Sequence, residues 1–216
     1  MNTTANTRFR KIAEFIQKKI ADTDVTASKN GESYAYRWQH TQRVSQHGRQ
    51  LAKAEGANQE LCVTACLLHD LAKFENQDYG VDHGRVGAKL ARPLLQKLGY
   101  KPIEIDNICF SIANHVDNQA GFEHPITIES KILSDADNID RFSAYRLLSS
   151  LEHDRTDYTS LIKNAEKRLL ALKKYRGQNM MATLSGNALF NQQIDLQIMF
   201  IEELIVESNL TCLPEI

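Results

Sequence analysis

Proline and glycine are scarce, at 4 and 10 of 216 residues, which excludes collagen-like, mucin-like and wholly disordered chains. An excess of one charge is also missing. Lys and Arg number 26 against 27 Asp and Glu, so no global attraction to nucleic acid or anionic lipid is expected. Long apolar runs are absent: the longest spans four residues, such as Ile198–Ile201, so no membrane span is expected. The opening MNTTANTRFRKIAEF lacks the apolar stretch of a secretory signal. Only four cysteines occur, Cys62, Cys66, Cys109 and Cys212, all in apolar contexts. They read as reduced thiols of a cytoplasmic protein. Cys62 and Cys66 stand at i and i+4 without a second pair, so they are expected on the buried face of a helix rather than on zinc.

What the sequence does contain is helical periodicity throughout, with no sustained strand alternation. Phe9, Ile12, Ile16 and Ile20 form one stripe. Trp38, Val44, Leu51 and Ala54 form a second, which Gly56 can stop. Asn58 can cap a third helix running through Leu61, Ala65, Leu68 and Ala72. A fourth is expected from His83 to Lys97, ending before Gly99, and Pro102 suits the first turn of a fifth carrying Ile105, Ile108, Ile112 and His115. After a loop at 118–125, Thr127 can cap a helix with Ile132, Leu133 and Ala136, and Arg141, Tyr145 and Arg146 are expected to continue it. Two long helices at about 157–175 and 184–207 follow, the second with Leu184, Phe190, Ile194, Ile198, Ile201 and Leu204 as its packing stripe. The expected fold is all-α, a single-domain bundle of about seven to nine helices closed by C-terminal packing helices, with a homodimer as one use of their surface.

Chemistry concentrates in the histidines. His40, Val44, His47 and Leu51 follow helical spacing, which puts His40 on or beside an apolar stripe; His47 is expected to be packing. His69 and Asp70 follow the apolar ACLL. A carboxylate beside an imidazole at the end of a buried helix is costly to desolvate unless a cation compensates it. His83, His115 and Asp137 lie on other helices, giving the order His40, His69-Asp70, His83, His115, Asp137. A bundle can gather such residues into one interior site. Mixed imidazole and carboxylate donors suit Mn, Fe, Co, Ni or Zn, with Mg as a further option. Lys73, three residues after Asp70, can face the same cavity and neutralise a phosphate oxygen.

These residues stand in HTQRV (40–44), LLHDLAK (67–73), HGRVGA (83–88), IANH (112–115) and SDADNID (134–140). Over roughly 35–150 the chain resembles the HD-domain metal-dependent phosphohydrolase superfamily, in particular its stand-alone bacterial members, leaving 151–216 as a helical extension. The resemblance implies one metal on His40, His69, Asp70 and Asp137, and in two-metal relatives a second ion on His83 and His115 with Asp70 bridging. Otherwise those two histidines face the phosphate. It implies hydrolysis of a phosphate ester or phosphoanhydride in a nucleotide or another small phosphorylated metabolite. Asp70 and Lys73 would act in catalysis, and Asp140 would orient a ligand or accept a proton. Arg43 and Arg141, with Lys73, His83 and His115, would hold the substrate. Asp140 has a plainer alternative, a cap or an ion pair with Arg141 or Arg37. Lys73 stands where nucleotidase-like relatives place an acid, and no Gly-Tyr-Pro signature of the cyclic-dinucleotide branch occurs. The competing activity within the resemblance is a mixed-valence diiron oxygenase of the myo-inositol oxygenase type.

Overall fold

The stripes become helices where the spacing places them. The computed structural model describes residues 3–22, 34–75, 77–153 and 157–211, so Cys212 lies outside the described residues. The described residues contain α-helices and short 3-10 turns and no strand. They fall into two compact units that divide at 137/138, inside one helix.

In the first unit, α1 (Thr3–Asp22) buries Ile12 and Ile16 completely, each worth roughly 1.5–3 kcal/mol against exposure. α2 (Tyr34–Ala54) ends at Gly56, whose φ of 68° favours glycine. α3 (Gln59–Leu68) is capped by Asn58, whose side chain accepts from the amides of Glu60 and Leu61. From Leu61 to Leu68 every residue of α3 is buried, so it is the central post of this unit, with α1, α2 and α5 packed on it. Cys62 and Cys66 lie within it as free thiols, as the sequence implies. Gly48 on α2 faces Cys66, where an added Cβ would collide with the sulfur, so these helices lie very close. Arg8 ties α1 down, donating to Glu60 at 2.7 Å and to the carbonyls of Leu98 and Gly99, with its guanidinium over the Tyr100 ring.

The third helix is shorter than its stripe. The α-helix stops at Leu68, and a 3-10 turn (Leu71–Phe74) takes over instead of a helix through Ala72. The cause is the His69 ring, whose Nδ1 donates to the Cys66 carbonyl at 2.8 Å. That carbonyl would otherwise accept from the Asp70 amide. Asp70 accordingly leaves the helical region, at φ −100° and ψ 18°. α4 (His83–Lys97) and α5 (Pro102–Asn114) pack together, separated by Gly99 at φ 74°. α6 (Ile128–Arg141) starts where Thr127 Oγ1 accepts the Ser130 amide.

The second unit holds the end of α6, then α7 (Ala144–His153), α8 (Tyr158–Arg176) and α9 (Leu184–Asn209). Arg141, Tyr145 and Arg146 do not continue one helix. The chain breaks at Phe142-Ser143, because Ser143 Oγ accepts the Arg146 amide and starts α7 while Gln197 on α9 takes the Phe142 carbonyl. α9 packs on α7 and α8 through Phe190, Ile194, Gln197 and Ile201. Leu184 is exposed rather than part of that stripe: at about 100° per residue it points roughly 100° away from Phe190, Ile194 and Ile201, while Thr183 caps the helix through the Gly186 amide.

Candidate metal centre

Each histidine of the ordered set is delivered by a helix end or a packed stripe. His40 sits one turn before the buried Val44 on α2. His69 and Asp70 stand at the end of α3, at 0% and 2% exposure. His83 opens α4, His115 follows α5 and Asp137 lies on α6. Small residues allow the close approach that brings them together. On α4, an added Cβ at Gly84 would lie 2.8 Å from the Ile112 carbonyl, and one at Gly87 3.4 Å from the His69 carbonyl. Arg85 then pins the start of α4 to the segment after His115, pairing with Asp82 at 2.8 Å and Asp117 at 3.0 Å.

Six side chains of the set converge. His40 Nε2 lies 3.2 Å from Asp137 Oδ1 and 3.3 Å from His69 Nε2. His69 Nε2 lies 3.6 Å from Asp70 Oδ2 and 3.8 Å from Asp137 Oδ1. His83 and His115 approach Asp70 Oδ1 with their Nε2 atoms at 3.4 and 3.9 Å. Two overlapping groups of donor atoms each lie within 4.8 Å of one another: His40, His69 and Asp137, and His69, Asp70 and His115.

The ring nitrogens set the chemistry of this cluster. His69, His83 and His115 each have Nδ1 against the carbonyl three residues earlier, of Cys66, Gly80 and Ile112, at 2.8, 2.6 and 2.6 Å. A carbonyl only accepts, so each Nδ1 carries a proton and the Nε2 of each ring is turned toward the carboxylates. Three Nε2 atoms therefore face two carboxylates. Burial pushes the His69 imidazolium down to about 4, against the pull of Asp70 and Asp137, and lowers His115 as well. Burial also raises Asp70 and Asp137, but their neighbours outweigh it. His69, His83 and Lys73 hold Asp70 well below the usual carboxylate range, and the His40 hydrogen bond with nearby imidazoles does the same for Asp137. Neutral imidazoles and ionised carboxylates are the donor states a divalent metal requires. Asp70 Oδ1, although buried, has no well-directed hydrogen bond. The residues present fit a metal.

Two cations flank the same carboxylate. Lys73 Nζ is 3.0 Å from Asp70 Oδ1 with its side chain one-third exposed, and Arg37 Nη1 is 3.0 Å from Oδ2. Arg37 is the residue that reasoning from motifs missed as a site residue. Its signal was available, since it lies one turn before His40 on α2 and so shares its face. Arg43 places its guanidinium over the Tyr36 ring at 5.9 Å. Asp140 is wholly buried on α6, Arg141 is exposed at the end of that helix, and His47 is half-buried.

Comparisons with known proteins bear on the family and the fold. Residues 37–141 match the HD domain model. Over 100 residues, 46% of the chain, it is 33% identical to Ribonuclease Y of Sulfurovum sp. (strain NBC37-1), of which it spans 17%. Among solved structures, a predicted HD superfamily hydrolase from an uncultured Thermotogales bacterium superposes with a TM-score of 0.68 at 21% identity, covering 96% of this chain and 99% of that one. Bacillus subtilis YpgQ in complex with ADP gives 0.64 at 19% identity, covering 95% and 97%. At such identities the likeness speaks for the fold.

Proposed function

The chain carries an HD domain over residues 37–141, and from that premise we propose that it is a metal-dependent phosphohydrolase acting on a small phosphorylated molecule. One observation carries the reading: imidazole Nε2 atoms and buried carboxylates converge at a point flanked by two cations, Lys73 and Arg37. His40, His69, Asp70 and Asp137 would hold the metal, and His83 and His115 would either hold a second ion beside Asp70 or face the phosphate. A bound divalent ion supplies a water of lowered pKa and a Lewis-acid contact for a phosphoryl oxygen.

The remaining work falls to the chain itself. Lys73 is tethered to Asp70 yet one-third exposed, so its ammonium can leave the carboxylate for a phosphoryl oxygen without becoming desolvated. Arg37, more enclosed, holds Asp70 Oδ2 and fixes the carboxylate's orientation. The carbonyl bonds of His69, His83 and His115 keep the rings from turning, which preserves the aim of Nε2. Asp140 lies one turn beyond Asp137, and its complete burial suits orienting a neighbour rather than exchanging protons with water. Arg43 is assigned to substrate charge, whereas Arg141 belongs to the second unit and lines a cavity there. The ADP complex of YpgQ makes nucleotides the first compounds to try.

The test is elemental analysis of protein purified without added metal, with phosphate release followed over nucleotides and sugar phosphates. Bound Mn, Co, Ni, Zn or Mg with phosphate release that disappears in Asp70→Ala supports hydrolysis. Two irons with oxygen uptake and no phosphate release would overturn it in favour of the oxygenase.

A further inference from the structure

The second unit has a concavity of its own, formed by residues of α6, α7 and α8. A cavity of about 530 Å³ is lined by Arg141, Arg146 and Arg168, with Phe142 and Tyr175 supplying ring surface and Ser150 a hydroxyl. No lining residue is acidic.

Arg168 shows the imbalance most clearly. Its guanidinium is half-buried, and among the described residues its hydrogen bonds go to neutral acceptors. Gln197 Oε1 accepts at 2.9 and 3.3 Å and Ser150 Oγ at 3.5 Å. Burial, and then the charge of Arg146, lower its pKa. A guanidinium half-desolvated against neutral partners is costly unless a negative charge joins it. Gln197 is itself buried and also donates to the Phe142 carbonyl, so Arg168 is held in place rather than free to swing into water. Arg141 and Arg146 sit on either side of the break at Phe142-Ser143, which sets their guanidinium stems at the cavity on separate helices.

We propose that this cavity is a binding site for a small polyanion of the phosphate class, carrying at least two negative charges. Guanidinium forks match phosphate oxygens in pairs, which ammonium groups do not. The volume accommodates a small molecule. The site uses none of the metal-centre residues of the first unit, so it stands whether or not the proposed hydrolysis does.

Titration calorimetry with inorganic pyrophosphate, in chelator and without divalent ions, tests it on the full chain. Saturable binding is expected, weakened several-fold in Arg141→Gln and about tenfold or more in Arg141→Gln/Arg146→Gln. Arg141 is exposed, so the single variant reports binding without risk to folding. Lys73→Gln at the metal centre and Arg92→Gln on the first unit should leave the affinity unchanged. Absence of saturable binding at millimolar pyrophosphate overturns the proposal. So does loss in Lys73→Gln with none in the arginine variants, which moves the anion to the metal centre. An equal loss in Arg92→Gln also overturns it, because the attraction would then be nonspecific.

Discussion

Replacing Asp70 by Asn keeps the shape of the side chain and removes one buried charge. Its carboxyl is held well below the usual range by His69, His83 and Lys73 against the cost of burial, so the fold favours the ionised form and its loss must destabilise. Breaking a buried ion pair by deleting one partner costs about 3–5 kcal/mol. Here Lys73 is one-third exposed and Arg37 is 15% exposed, so both can turn partly to water, and a loss of about 2–3 kcal/mol is expected. Urea unfolding in chelator measures this. A second titration with a divalent ion at a hundred times its dissociation constant should stabilise the parent protein by about 2.7 kcal/mol and Asp70→Asn by far less. A variant as stable as the parent in chelator would refute the electrostatic reasoning, and an undiminished metal increment would remove Asp70 from the ligand set.

Acid should weaken the metal-free protein. His69 falls from 6.5 to about 4 on folding because of burial, so between those values the unfolded chain binds more protons and stability rises with pH. The stability is present above pH 6.5 and lost on descent towards 4, by roughly 3 kcal/mol for this group. The His115 shift has the same sign, and below the unfolded carboxylate value Asp70 and Asp137 extend the loss. Urea midpoints that stay level between pH 7 and 4.5 would contradict this. Gly84→Ala puts a Cβ 2.8 Å from the Ile112 carbonyl and should force α4 away from α5, lowering stability by about 1–3 kcal/mol and shifting His83. Thermal melting and metal content together check it. Burial pushes the thiols of Cys62 and Cys109 up to about 12 and about 11, and Cys66 higher still than its ordinary value. All three should resist a thiol reagent until the protein unfolds.

Helix identity was legible because burial repeats with the helical period. Ile12 and Ile16 on α1, and Phe190, Ile194 and Ile201 on α9, are buried where the stripes place them. Punctuation was legible too, since Asn58, Gly56 and Gly99 act through their own backbone geometry and side chains. Misreadings arose where a distant or competing partner decided. The His69 ring takes a carbonyl from the helix and ends α3 early. Gln197, 55 residues away in sequence, donates to the Phe142 carbonyl at the break before α7. Leu184 is apolar, but it lies roughly 100° round the helix from Phe190, Ile194 and Ile201, so it meets solvent.

Periodicity and side-chain chemistry are local properties, so the all-helical chain and the types and order of the residues at the centre can be read along the chain. Packing brings six of those residues within a few ångströms, places Arg37 and Lys73 on one carboxylate, and sets three arginines around a cavity in the second unit. Those distances depend on how closely helices approach. Closeness is set at contacts such as Gly84 against Ile112 and Gly48 against Cys66, between residues remote in the chain. Spacing along a single helix carries no record of its neighbour.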